Sequence, residues 1–151
     1  MFRNLLSRLF GEEEANLSPI DAEVAIAALM VRLARSDNKY QQSERDRIDQ
    51  VLARRRGLSL KEAAERRAAA EMIEAEAPDT VRFTRHIKDR IALEDRIGVI
   101  AALWNVAYAD GSRAADEESV VRLVAGLLGV PDKDSALARQ RVMVDLGLAL
   151  D

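Results

Sequence analysis

Cysteine is absent from this chain of 151 residues. Without a thiol there is no disulfide, no thiolate nucleophile and no thiolate metal site. Histidine occurs once, at His86. That excludes an intrachain His–His metal pair and leaves little material for a hydrolytic triad. Flanked by Arg85 and Lys88, His86 reads as an ordinary surface or boundary position. Aromatic residues make up 4%, too few for a base-stacking platform. No apolar run approaches the ~20 residues that cross a bilayer. The opening segment MFRNLLSRLFG, interrupted by Asn4, Ser7 and Arg8, lacks the continuous apolar stretch and small-residue cleavage site of a secretory signal. A cytoplasmic location is therefore expected. With no glycine-rich phosphate loop either, only carboxylate pairs are left for acid–base chemistry, and no enzymatic activity is expected.

What the chain does have is charge of both signs. Charged residues make up 32%, with 23 Lys+Arg against 26 Asp+Glu and a net charge of −3. That balance argues against binding driven by phosphate neutralisation, so nucleic acid is not an expected partner. The hydrophobic share of 48% suits one globular domain.

Hydrophobic spacing is helical wherever it is periodic, and no segment alternates with a period of two. Phe2, Leu5, Leu6, Leu9 and Phe10 form the apolar stripe of a short amphipathic helix over residues 1–11. Arg3 and Arg8 flank it, and Gly11 ends it. Such a helix either docks on a partner or weakly on a membrane through residues 2–10, or folds back onto its own domain. Glu12-Glu13-Glu14 lies in an acidic linker over 12–17. The remaining residues, 18–151, form the main domain.

Ser18-Pro19-Ile20-Asp21 is a helix start, with a serine cap and a proline at the first helical position. That helix runs to about Arg35 and breaks at Asp37-Asn38. The next begins near Ser43 and ends at Arg54-Arg55-Arg56-Gly57, where cations complement the helix dipole and glycine suits the left-handed cap. Ser59-Leu60-Lys61-Glu62 is a capping box that opens an alanine-rich helix stopped by Pro78. Further helices carry Val81, Ile87 and Ile91, span about Leu93–Ala109 and Ala114–Leu128, and close the chain over about Asp134–Leu148. Trp104 and Tyr108, four apart, share one helix face and are expected in the core. Glu71, Glu74, Glu76 and Asp79 read as an acidic solvated surface.

A shift of 73 residues, the distance from Asp37 to Asp110, aligns the two halves. It matches Ala28 with Ala101, Ala34 with Ala107, Glu44 with Glu117 and Val51 with Val124. Asn38 meets Gly111, and both tolerate the left-handed backbone of a sharp turn. The expected fold is therefore all-α, a compact bundle of about seven to eight helices built from two pseudo-twofold-related helical repeats.

In each repeat an Asp closes one helix and a Glu opens the next, at Asp37 and Glu44 and at Asp110 and Glu117. One role is architectural, since a carboxylate at a helix N-terminus accepts backbone N–H bonds. The other is a divalent cation, calcium or magnesium, held by Asp37, Glu44, Asp110 and Glu117, because hard cations take oxygen ligands. The spacing is not that of an EF-hand. Asp116 and Glu118, with Arg54, Arg55 and Arg56, are the expected contacts to protein partners.

The stretch Val106-Ala107-Tyr108-Ala109-Asp110-Gly111, then Glu117 and the apolar run from Val121 to Leu128-Gly129, resembles the repeated ADG…E signature of the TerB-like, tellurite-resistance-associated family. Asp37-Asn38 through Glu44 repeats it more loosely, with Asn38 at the glycine position. Gln41 and Ala114 stand where the family often has a capping serine. The resemblance covers roughly residues 20 to 150. It implies a helical bundle, cytoplasmic or at the inner membrane face, in tellurite or general stress response. It further implies no established enzymatic activity, and protein partners that include membrane and calcium-binding members of the same system.

Overall fold

The computed structural model describes residues 19–36, 39–76, 80–109 and 115–148. The expected N-terminal amphipathic helix and acidic linker, the Ser18 cap, and the turns at Asp37-Asn38 and Asp110-Gly111 lie outside the described residues. Among those described there are seven helices and no strand: α1 (Pro19–Ala34), α2 (Gln42–Arg56), α3 (Leu60–Glu76), α4 (Thr80–Arg90), α5 (Leu93–Ala107), α6 (Ala115–Leu127) and α7 (Asp132–Asp145). No helix among them is long and apolar enough to cross a membrane.

Helix α1 is the centre of the bundle. Every residue from Val24 to Val31 is buried, followed by Leu33 and Ala34. A helix apolar all round must be enclosed on all sides, and α1 packs against α2, α3, α5 and α6. Ala25, Ala27 and Ala28 keep its girth small, which lets neighbouring backbones approach. Helix α5 is the second central element, burying Val99, Ile100, Leu103, Trp104 and Val106 and packing on α1, α2, α6 and α7. Each large apolar side chain fully removed from water contributes about 1.5–3 kcal/mol. These two helices carry half of the buried hydrophobic residues among those described. Helix α4 packs on α6 through one face, burying Ile87 while Val81 stays 44% exposed.

The helix ends follow local chemistry. The backbone N–H of Ser59 donates to Glu62 Oε1 and the N–H of Glu62 donates to Ser59 Oγ, both at 3.1 Å. This is the expected capping box, and its bonds hold the Glu62 carboxyl below its ordinary range. Helix α2 starts one residue before Ser43, because the Gln41 N–H is satisfied by Glu44 Oε1 at 3.0 Å. Gly57, Gly129 and Gly147 all take positive φ. Just beyond them, Leu58, Val130 and Leu148 donate to the carbonyls of Ala53, Ala125 and Met143. These i to i−5 bonds are the Schellman ending that favours glycine. They stop α7 at Asp145 rather than at the expected Leu148.

Half-buried ion pairs and hydrogen bonds lock the helices in register. Glu74 of α3 binds Arg32 and Arg35 of α1 at 3.3 and 2.6 Å. Arg67 of α3 binds Asp49 of α2 at 2.7 Å. The expected acidic surface is thus partly internal. Arg96 Nη1 donates to the Leu128 carbonyl at 2.6 Å, capping the end of α6.

Candidate interaction surface

The sequence places three arginines at the end of α2 as a dipole-matched terminus. The fold brings α1 antiparallel against that end and inserts Glu23, which is 1% exposed. Arg55 grips it from two atoms, Nε to Oε2 and Nη2 to Oε1, each at 3.3 Å. Arg56 Nε donates to Oε1 at 2.7 Å. A carboxylate so deeply placed needs this paired, charge-assisted environment. Arg55 is therefore half-buried over Glu23, while Arg56 reaches it from an exposed position and Arg54 is exposed too.

Beside this clamp lies a groove of about 560 Å³ between α2, α5 and α7. Its wall from α2 is Val51, Arg54 and Arg55; from α5 it is Ile97, Gly98, Ala101, Ala102 and Asn105. Helix α7 supplies Asp134, Leu137, Ala138, Arg141, Val142 and Asp145. Small residues on α5 open the space, since an added Cβ at Gly98 would stand 3.4 Å from Arg55 Nη1. Asn105 is fixed by Arg47, whose Nη1 donates to its Oδ1 at 2.7 Å. Leu137 is 52% exposed at the lip. The result is a mostly apolar groove whose polar lining is Arg54, Arg55, Asn105 and Arg141 together with the carboxylates of Asp134 and Asp145. Among the described residues neither Arg54 nor Arg141 has an ion-pair partner. The volume falls in the range of ligand-binding clefts, and the lining is mostly apolar with a few polar groups, as such sites are.

On the far side of α7 a buried polar network joins three helices. The Tyr108 hydroxyl donates to Glu118 Oε2 at 2.8 Å, and Arg139 Nε donates to the Tyr108 oxygen at 2.9 Å. Burial first, then the hydrogen bond to Glu118, raises the Tyr108 phenol above its ordinary value. Trp104 stacks on Tyr108, centroids 5.9 Å apart and planes 17° from parallel, and its indole N–H donates to Ser135 Oγ at 3.2 Å. The guanidinium carbons of Arg122 and Arg139 sit 5.8 and 5.9 Å from the Trp104 ring. The pair is core, as its spacing suggests. Tyr40 is held between Arg35 and Arg45, at 5.2 and 4.4 Å. Its phenol is pushed up to about 12, by burial and then by the charge of Glu71.

Of the four residues considered for a cation, Asp37 and Asp110 lie outside the described residues. Glu44 and Glu117 occupy the first turns of α2 and α6 and are each 6% exposed. Glu44 uses one oxygen to cap its own helix. Glu118 is 5% exposed and engaged by Tyr108 and Arg139. The side chains of Asp116 and His86 lie outside the described ones. Among the described residues no three His, Asp or Glu side chains are arranged to hold a metal ion.

The sequence reading missed Glu23 and the groove. The first carried a weak signal, an acid directly before the apolar run of its helix. The second carried none, because its walls come from three separate helices.

A family model described as Tellurite resistance protein TerB matches residues 23–140. That span runs from Glu23 in α1 into α7 and includes both acidic turns. No curated protein and no solved structure matches the chain.

Proposed function

This chain belongs to the TerB family, and we propose that it is a non-enzymatic interaction module in a tellurite-resistance and stress response. Its place is the cytoplasm, where it meets protein partners at the inner membrane face. Duplication of one helical unit is part of this reading: the 73-residue offset pairs Glu44 in α2 with Glu117 in α6, both buried at helix starts.

The observation that carries the proposal is the groove between α2, α5 and α7. A mostly apolar lining that includes Arg54, Arg55 and Arg141 suits the apolar stripe of an amphipathic helix whose flank is acidic. Helix-in-groove recognition needs apolar anchors for affinity and charge complementarity for choice of partner.

The test is growth of the host on potassium tellurite. Loss of the chain is expected to lower tolerance, and wild-type protein to restore it. Leu137→Glu, which places a charge at the exposed groove lip, is expected to abolish rescue without unfolding the protein. Full rescue by Leu137→Glu would show that the groove is not the working surface.

A second reading assigns a divalent cation to Asp37, Glu44, Asp110 and Glu117. It is favoured by the burial of two carboxylates, Glu44 and Glu117, at the helix ends that follow the two turns. An ion that binds only the native state must raise the melting temperature, by an amount that grows with the logarithm of its concentration over Kd. Melting curves in millimolar calcium, magnesium and chelator that coincide would eliminate this reading.

A further inference from the structure

We infer that the helix received by the groove between α2, α5 and α7 is α7 of a second copy of this chain, paired antiparallel about a twofold axis at Leu137 and Ala138. The inference rests on the reading of this groove as a helix-binding surface and names its occupant.

The first observation is the stripe that α7 presents. Asp134, Leu137, Ala138, Arg141, Val142 and Asp145 all line the groove. Steps of three and four residues along a helix keep them on one face. Leu137 is 52% exposed on that face, and Val144, two turns further along, is 62% exposed. Asp134 is half-buried and Arg141 is exposed. The helix therefore carries apolar surface and charge that nothing in its own chain covers.

The second observation is the order of charge along the stripe: an acid at Asp134, an apolar pair at Leu137 and Ala138, a base at Arg141. Asp134 and Arg141 stand about 10.5 Å apart along the axis and within about 20° of each other around it. Among the described residues neither has an ion-pair partner in its own chain. A second α7 laid antiparallel, with its midpoint at the same place, sets each Asp134 against the other copy's Arg141. Leu137 then meets its own equivalent at the axis. The stripe is thus complementary to itself, as an isologous twofold interface requires. Parallel pairing in register would set acid against acid and base against base, so charge selects the antiparallel arrangement. A lining of both signs fits a uniformly charged partner poorly and fits a second copy well.

The third is size. Helix α7 has 14 residues and is about 21 Å long. A footprint of that length and one helix diameter, about 10–12 Å, stays below the roughly 800 Å² per partner of a standard interface. The dimer is therefore weak and exchanges with monomer in the micromolar range.

The test is sedimentation velocity of the full chain from micromolar to millimolar concentration. Wild type is expected to pass from monomer to dimer across that range. Arg141→Asp, which sets acid against acid on both sides of the axis, is expected to weaken the dimer at least tenfold. Asp134→Arg added to Arg141→Asp restores opposite charges and is expected to recover most of that loss. Thermal melts confirm that each variant is folded. A second measurement needs no charge change. The chain has no cysteine of its own, so Leu137→Cys is compared with Met72→Cys, which is 71% exposed on α3. Mild oxidation is expected to link two copies of the Leu137→Cys variant at least tenfold faster. A wild type that stays monomeric throughout, equal oxidation rates, or a double variant as weak as Arg141→Asp would each overturn the inference. A monomeric wild type together with loss of tellurite tolerance in Leu137→Glu would leave the groove as the surface for a different protein. A wild-type dimer together with full rescue by Leu137→Glu would keep the self-pairing and remove the groove's role in resistance.

Discussion

Removing the Glu23 carboxylate tests the packing of α1 against the end of α2. Glu23 accepts three charge-assisted hydrogen bonds from Arg55 and Arg56 and is 1% exposed. Breaking a fully buried pair costs about 3–5 kcal/mol, and an exposed pair is worth about 0–1 kcal/mol. Here the acid is buried, but its partners are not. The Arg55 and Arg56 side chains are 24% and 50% exposed, so water re-solvates them once the acid is gone. Glu23→Ala should therefore cost about 2–3 kcal/mol, between the two limits. At about 2–4 °C per kcal/mol for a domain of this size, the melting temperature falls by about 4–12 °C. Arg56→Ala, removing the more exposed partner, should cost about 1 kcal/mol or less. Urea titrations followed by the emission of Trp104, the single tryptophan and 1% exposed, give each value. A double-mutant cycle on Glu23 and Arg55 gives their coupling. A Glu23→Ala change below 1 °C, or no coupling between Glu23 and Arg55, would refute the reasoning.

Three further outcomes follow from the same contacts. Tyr108→Phe removes the hydroxyl that bridges Glu118 and Arg139 and should cost about 1–3 kcal/mol through the loss of two charge-assisted hydrogen bonds; an unchanged urea midpoint would contradict the network. Both tyrosine phenols are raised, Tyr40 to about 12. Their contribution to stability is full below the unfolded value near 10 and is lost as pH climbs through the higher folded values. An absorbance titration should show less phenolate at pH 10 in folded than in unfolded protein, and stability should decline above it; normal titration near 10 would refute the burial argument. Gly126 lies in α6 with open space at its Cβ position, while Gly129 has φ +71°. Gly126→Ala should stabilise by about 0.5–1 kcal/mol and Gly129→Ala destabilise by about 1–2 kcal/mol; changes of the same sign in a thermal melt would contradict the assignment of the α6 end.

How far the sequence alone reaches depends on whether a signal is local. Gly57 and Gly129 mark helix ends because a left-handed residue after an apolar stripe has few other uses. Gly147 does the same but is followed by Leu148 and Leu150, which extend the apolar pattern and hide the stop. The start of α2 is misplaced by one residue because the cap is a backbone N–H answered by a side chain three residues on, at Glu44. The Ser59–Glu62 box has the same geometry with a serine, and is legible for that reason. Long-range pairs are not legible at all. Arg55 and Arg56 look like a solvated terminus until Glu23, more than thirty residues earlier, is brought against them. Glu74, part of an apparent acidic surface, is likewise a ligand of Arg32 and Arg35. The groove needs three helices at once, and no local pattern marks it.

The recognition surface between α2, α5 and α7 is tested most directly by amide NMR. An unlabelled amphipathic helical peptide with an acidic flank is titrated into the full ¹⁵N-labelled chain. The largest shifts are expected at Val51, Arg54, Gly98, Ala101, Leu137 and Val142. Shifts centred on α3 or α4, or none at saturating peptide, would contradict it.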